Sequence, residues 1–288
     1  MAITINASIA SMHARRSLDK NTSALNVSLS RLASGLRINS AADDAAGLAL
    51  STRMTAEILS ANAAIKNAND GISLMQVADS ALVETTTALQ RIRELAVQAN
   101  TSTISGTDQN NLQLEVTELM QEIQRISTTT DFNDVNLLDG TYSTGANVYQ
   151  IGTEGSQTIA VSIAGASVAK IGASTGIGND GISVGSGAYA LGYIASTIVN
   201  VDVAIDSVSA IRAQIGAYQS RLESVVNSLS SMAEVTEVAR SRITDADIAQ
   251  ETANMAKLTI LQQAGIAVIA QANQQPSIAY KLLSGVGN

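Results

Sequence analysis

Cysteine is absent from the sequence, so neither a disulfide framework nor a thiolate metal site holds this chain together. That absence fits a life outside the cell without disulfides as well as a cytosolic one. Histidine occurs once, as His13, which leaves almost no material for a Ser-His-Asp arrangement or a histidine metal cluster, and no H-E-x-x-H motif occurs. With one Phe, no Trp and six Tyr, the chain falls far short of the aromatic packing of a compact enzyme. A single proline removes the commonest breaker of helix interiors. No apolar run approaches the length that spans a bilayer, so no membrane insertion is expected. The start, "MAITINASIASMHARRS", lacks the charged region, apolar stretch and cleavage site of a secretory signal, which implies a cytoplasmic protein or one exported without a cleaved leader. Net charge is −8 and the sequence pI about 4.7, which argues against a nucleic-acid partner.

What is present is a set of apolar stripes. Hydrophobic content is 45%, carried by Leu, Ile, Val, Ala and Met, a composition suited to helices that meet along seams. Leu18, Thr22, Leu25, Leu29, Leu32 and Leu36 step by four and three. Leu258, Leu261, Gly265, Val268 and Ala272 repeat the pattern near the other end. Between them lie Leu82, Thr85, Leu89, Ile92, Ala96 and Ala99, then Leu112, Val116, Leu119, Ile123 and Ile126, then a long series from Ile194 through Arg212 and Leu222 to Leu229. Sustained three-four spacing predicts a mainly α protein, a long rod-like helical bundle of coiled-coil character. Basic residues gather at the start: Arg15, Arg16, Lys20, Arg31 and Arg37 face only Asp19 within residues 1–40.

Two places interrupt the helical pattern. Residues 139–192 hold twelve of the 20 glycines, with alternating pieces such as "NVYQIG" and "TIAVSIAG" that predict a small β-hairpin element. "SGLRINSAADDAAG", residues 34–47, reads as a joint between helices. Gly35 and Arg37 suit the end of the first helix, where glycine adopts a left-handed backbone and a cation meets loose carbonyls. Ser40 with Asp43 matches a capping box, and Asp43 and Asp44 suit the positive end of the next helix. Asn69-Asp70-Gly71 signals a turn, yet the spacing of Ile65, Ile72 and Met75 continues across it and predicts an unbroken helix, at about 1 kcal/mol for the glycine. "DADIAQE" at 245–251 begins like a calcium loop but lacks its glycine and its closing glutamate. "GIGNDG" at 176–181 is a turn cluster with no helix pattern placed to make a phosphate loop.

The segments "MAITINASIASMHARRSLDKNTSALNVSLSRLASGLRINSAADDAAGLALSTRM", "NDGISLMQVADSALVETTTALQRIRELAVQAN", "TDFNDVNLLDG", "ARSRITDADIAQETANM" and "ILQQAGIAVIAQANQQP" resemble bacterial flagellin, the subunit of the flagellar filament, over roughly residues 1–140 and 190–280. The resemblance implies that residues 1–40 and 245–288 form a helical hairpin of an inner tube. Residues 41–138 and 190–244 would form an outer-tube bundle with spoke segments, and 139–189 a short variable β element. It implies a secreted homopolymer used for motility, with no enzyme activity, no cofactor and no metal. The implied partners are further copies of the chain, an export chaperone, the filament cap, hook–filament junction proteins and a host toll-like receptor. The family's receptor motif carries over to Arg91, Leu95 and Glu115. A flagellin-like junction protein that forms one ring is the alternative. A free secreted adhesin is a further one.

On this reading Leu18, Leu25, Leu29, Leu32, Leu258, Leu261 and Val268 form the polymerisation core, because their helices cannot bury an apolar stripe alone. Ser and Thr of residues 141–190 are candidates for O-linked sugars, and the ending "SIAYKLLSGVGN" departs from that read by intracellular flagellin sensors. Trimming residues 1–35 or 255–288 is expected to leave a soluble folded remnant that forms no filaments, as sedimentation and electron microscopy would report.

Overall fold

The computed structural model describes residues 9–143, 147–171, 182–185 and 190–285. The cluster at 176–181 falls outside them. In chain order the elements are α1 (Ile9–Ser34), α2 (Ala45–Ala99), α3 (Gly106–Thr129), β1 (Asp131–Phe132), β2 (Val135–Asn136), a 3-10 turn at Thr141–Ser143, β3 (Asn147–Gln150), β4 (Thr158–Val161), α4 (Ala190–Thr244) and α5 (Ile248–Gly285). The protein is mainly α, and two compact units share the chain: residues 1–58 with 234–288, and residues 59–233. Their division falls within α2 and α4.

The second unit owns the apolar core. Its α2 stripe of Leu82, Thr85, Leu89, Ile92, Ala96 and Ala99 is buried at every position. Val116, Ile123 and Ile126 of α3 join it, as do Ile194, Val201, Val208, Ile215 and Leu222 of α4. The three-four spacing along each helix is thus the side that meets its neighbours. Arg212, which interrupts the α4 stripe, pairs at 2.8 Å with Asp79, and Arg93 pairs at 2.7 Å with Asp202. Both ion pairs tie α2 to α4 at the edge of the core, and each is worth at most about 1 kcal/mol in solvent.

One expectation needs correction. Within Ile194–Thr244, α4 contains a stretch long and apolar enough, by length and composition, to cross a membrane. Ile, Val and Ala dominate it because it carries the core stripe on one side. Val201, Ala204, Val208 and Ile211 are buried in the unit, and Asp202 is held by Arg93.

Among the described residues the paired strands form two separate antiparallel hairpins. Asn147 to Gln150 pair with Val161 to Thr158, in the glycine-rich region where strands are expected. The other hairpin, Asp131–Phe132 with Val135–Asn136, falls within residues 41–138, which the resemblance assigns to the helical bundle. Asn133 and Asp134 turn it with φ of 53° and 63°, the left-handed pair that a two-residue hairpin turn demands and that Asn and Asp tolerate.

Helix α2 runs through Asn69-Asp70-Gly71 without a break. Gly71 is buried because other elements come close to it. A Cβ there would stand 3.2 Å from Leu222 Cδ1 and 3.2 Å from Tyr149 Cε1. The glycine thus lets α4 and the β3 strand approach the helix, which offsets its propensity cost. Gly71→Val is expected to lower stability by about 1–3 kcal/mol through overpacking, seen as a reduced thermal midpoint with native helix content retained by circular dichroism.

Candidate functional site: the terminal helix pair

The first unit is built differently. Among its described residues the buried apolar side chains are Ile38 and Ala272 alone. Helices α1 and α5 pack against each other as an antiparallel pair, and their contact is small and polar. Ser11 Oγ donates to Asn273 Oδ1 at 2.9 Å, Gln262 Nε2 lies 3.4 Å from Thr22 Oγ1, and Ser28 Oγ donates to the buried Glu251 carboxylate. Leu18 lies over Gly265, where an added Cβ would meet Leu18 Cδ1 at 3.4 Å. Small residues let two helices approach closely, and hydrogen bonds across the seam specify its register.

This arrangement redistributes the six leucines and one valine expected to form the polymerisation core. Leu18, Leu25, Leu32 and Leu258 lie on the half-buried stripe between the two helices. Leu29, Leu261 and Val268 do not. The positions between them in the seam are filled by Ser28, Gln262 and Ile269, and the three expected residues point outward, Val268 54% exposed. They share that outward surface with Ile9, Met12, Val27, Ile260 and Ile266, which heptad spacing does not pick out. Exposed apolar side chains in this number on a polar-seamed helix pair mark a site of association.

The joint is a short zipper between the two connecting segments. Gly35 takes φ of +71° and its amide closes back on Arg31 O at 2.8 Å, the left-handed end expected of α1. Leu36 then bridges Asp245, with Arg37 N donating to Thr244 O at 2.6 Å and Ala246 N to Gly35 O at 2.9 Å. The Arg37 guanidinium meets loose carbonyls, but those of α4, through Ile243 O, and not those of α1. Helix α2 is capped by Asp44, whose Oδ1 accepts from Gly47 N at 2.9 Å. Ser40 does not cap it. Ser40 and Asp43 form a preceding turn of their own, in which Asp43 Oδ2 accepts from the Ser40 hydroxyl and amide, each at 2.9 Å, and from the Asn39 amide. Of the acidic residues of "DADIAQE", Asp247 serves similarly: its Oδ1 accepts from Ala249 N and Gln250 N at the start of α5.

Residues 5–143 match the bacterial flagellin N-terminal helical region, and residues 198–283 match the bacterial flagellin C-terminal helical region. The chain belongs to the bacterial flagellin family. Flagellin of Bacillus subtilis (strain 168) is 42% identical over 302 residues, spanning 97% of this chain and 99% of the relative. The flagellar filament 33 kDa core protein of Treponema phagedenis is 38% identical over 287 residues, spanning 97% and 99%. Among solved structures, a chain described as a flagellar hook-associated protein from Vibrio parahaemolyticus covers 70% of this chain and 100% of its own length with a TM-score of 0.61. At 12% identity that likeness is one of fold.

The receptor residues suggested by resemblance to flagellins divide in two. Arg91 and Glu115 are exposed and joined, Arg91 Nε to Glu115 Oε1 at 2.8 Å, with Glu94 3.1 Å from the same guanidinium. These hydrogen bonds raise the Arg91 pKa above its ordinary value. Leu95 is 1% exposed. One turn along from Arg91, it falls on the α2 stripe that packs into the core, so it offers no surface to a docking partner.

Hydrogen bonds from the Ser40 hydroxyl, then from the Ser40 and Asn39 amides, hold the Asp43 carboxyl below its ordinary value. A lowered folded-state pKa stabilises the turn above the unfolded value of about 3.9, and the contribution is lost as pH falls through the folded one. Protection of the Asn39 and Ser40 amides, taken relative to their intrinsic exchange rates at each pH, should therefore hold down to about pH 4 and fall below it, a pH dependence that Asp43→Asn removes.

Proposed function

We infer that this chain is the structural subunit of a bacterial flagellar filament, an extracellular helical homopolymer. The observation that carries this reading is the unpartnered apolar surface of α1 and α5. Among its described residues the terminal unit has no apolar core of its own, and copies stacked side by side supply one. Contacts of this head-to-tail kind, through a rotation that does not close, generate an open fibre. Family membership over nearly the whole chain supports the long filament over a single ring.

The finer assignment follows the same logic. Residues 1–40 and 245–288 would form the inner tube, residues 41–138 and 190–244 the outer tube and spokes, and 139–189 its variable element. An export chaperone would cover the apolar surface before assembly, and the filament cap and junction proteins would meet it at the two ends of the fibre. A host toll-like receptor would engage the outer helix surface through Arg91 and Glu115.

Leu261→Ser combined with Val268→Ser tests the reading. Each side chain is exposed in the single chain, so the soluble variant should keep its helix content. Burial of the two is worth about 3–6 kcal/mol, so the critical concentration for assembly should rise at least about a hundredfold. An unchanged critical concentration in a sedimentation assay would contradict it.

A further inference from the structure

The two hairpins of the second unit leave a surface cleft of about 400 Å³ against helix α2. Its lining includes the chain's single phenylalanine, Phe132, the ring of Tyr149, the aliphatic side chains of Leu74 and Val148, and the carboxylate of Asp70. The aromatic wall is fixed in place: the Tyr149 hydroxyl lies 2.9 Å from that of Tyr142, and the Tyr149 ring closes on Gly71. Asp70 is exposed and has no hydrogen-bond or ion-pair partner among the described residues. An unpaired carboxylate beside two aromatic rings and two aliphatic side chains matches one kind of side chain: a long apolar stem that ends in a cation.

We propose that this cleft is a socket for an arginine or lysine of a second copy of this chain. The proposal rests on the filament reading, which brings copies into contact, and adds a specific contact outside the terminal helices. Charge supports a second copy as the occupant. Residues 59–233 carry sixteen acidic side chains against seven basic ones. Arg91, Arg93, Arg125 and Arg212 are already paired with carboxylates of the same unit. Neighbouring copies of this unit therefore repel unless cations from elsewhere meet their acids. Residues 1–58 and 234–288 hold the other ten Lys and Arg. Arg53 and Arg242 among them are exposed and have no ion pair among the described residues. They are the first candidates to enter the cleft.

The experiment uses the full chain. Asp70→Asn should leave the monomer's helix content and unfolding midpoint unchanged, because Asp70 makes no hydrogen bond or ion pair among the described residues that the substitution would break. Its critical concentration at low salt should rise roughly tenfold, the scale of one desolvated cation–aromatic and carboxylate contact. The difference from the parent should shrink at high salt. Asp70→Arg should block elongation, and Arg53→Asp or Arg242→Asp in that background should restore it. Equal assembly of Asp70→Asn, Asp70→Arg and parent at all salt concentrations would overturn the socket while leaving the filament intact. Failure of the parent itself to polymerise would instead reject the filament reading. A small cationic occupant would show as binding of free argininamide to the parent monomer, lost in Asp70→Asn, with assembly unchanged, and that result also overturns the proposal.

Discussion

The structure depends on what lies between α1 and α5. Hydrogen-bonding side chains and a glycine fill that seam: Ser11 with Asn273, Thr22 with Gln262, Ser28 with Glu251, and Leu18 over Gly265. A seam of this composition brings the helices together in one register but removes little apolar surface from water. Leu18, Leu25, Leu32 and Leu258 are only half covered there. Leu29, Ile260, Leu261, Ile266 and Val268 lie outward, where a single chain has nothing to cover them. A greasy seam would have made a self-sufficient hairpin; a polar one leaves the hydrophobic free energy to be realised between copies.

The second unit supplies what the first lacks. Its helices bury a continuous stripe, two of its ion pairs cross between α2 and α4, and Tyr149 of β3 closes over Gly71. The joint connects each helix to the next with backbone hydrogen bonds between residues 35–37 and 244–246, so that both chain ends leave through one zipped crossing. Carboxylates there are occupied by capping: Asp44 for α2 and Asp247 for α5.

Three-four spacing made all five helices legible, including the passage through Asn69-Asp70-Gly71, and glycine density marked the β3–β4 hairpin. The short β1–β2 hairpin was not legible from alternation, since two residues a side show none; its signal is Asn133-Asp134, a pair able to turn with positive φ. The capping pattern has two outcomes. Ser105 and Asp108 form the reciprocal box at α3, whereas Ser40 and Asp43 form a separate turn because the joint delays α2 until Asp44. Periodicity also cannot decide between adjacent stripes of one helix. Leu29 and Leu261 stand one position away from Ser28 and Gln262, which hydrogen-bond across the seam, and Val268 stands one position away from the half-buried Ile269. Leu95 illustrates the same limit from the other side. It shares a helix turn with an exposed arginine and still belongs to the core.

Amide exchange of the soluble chain against the assembled fibre tests the central claim most directly. The account predicts that α1 and α5 exchange far faster than the core stretch of α2 in the soluble chain and become as slow as that core on assembly. Equal, strong protection of α1 and α5 in both states would contradict it.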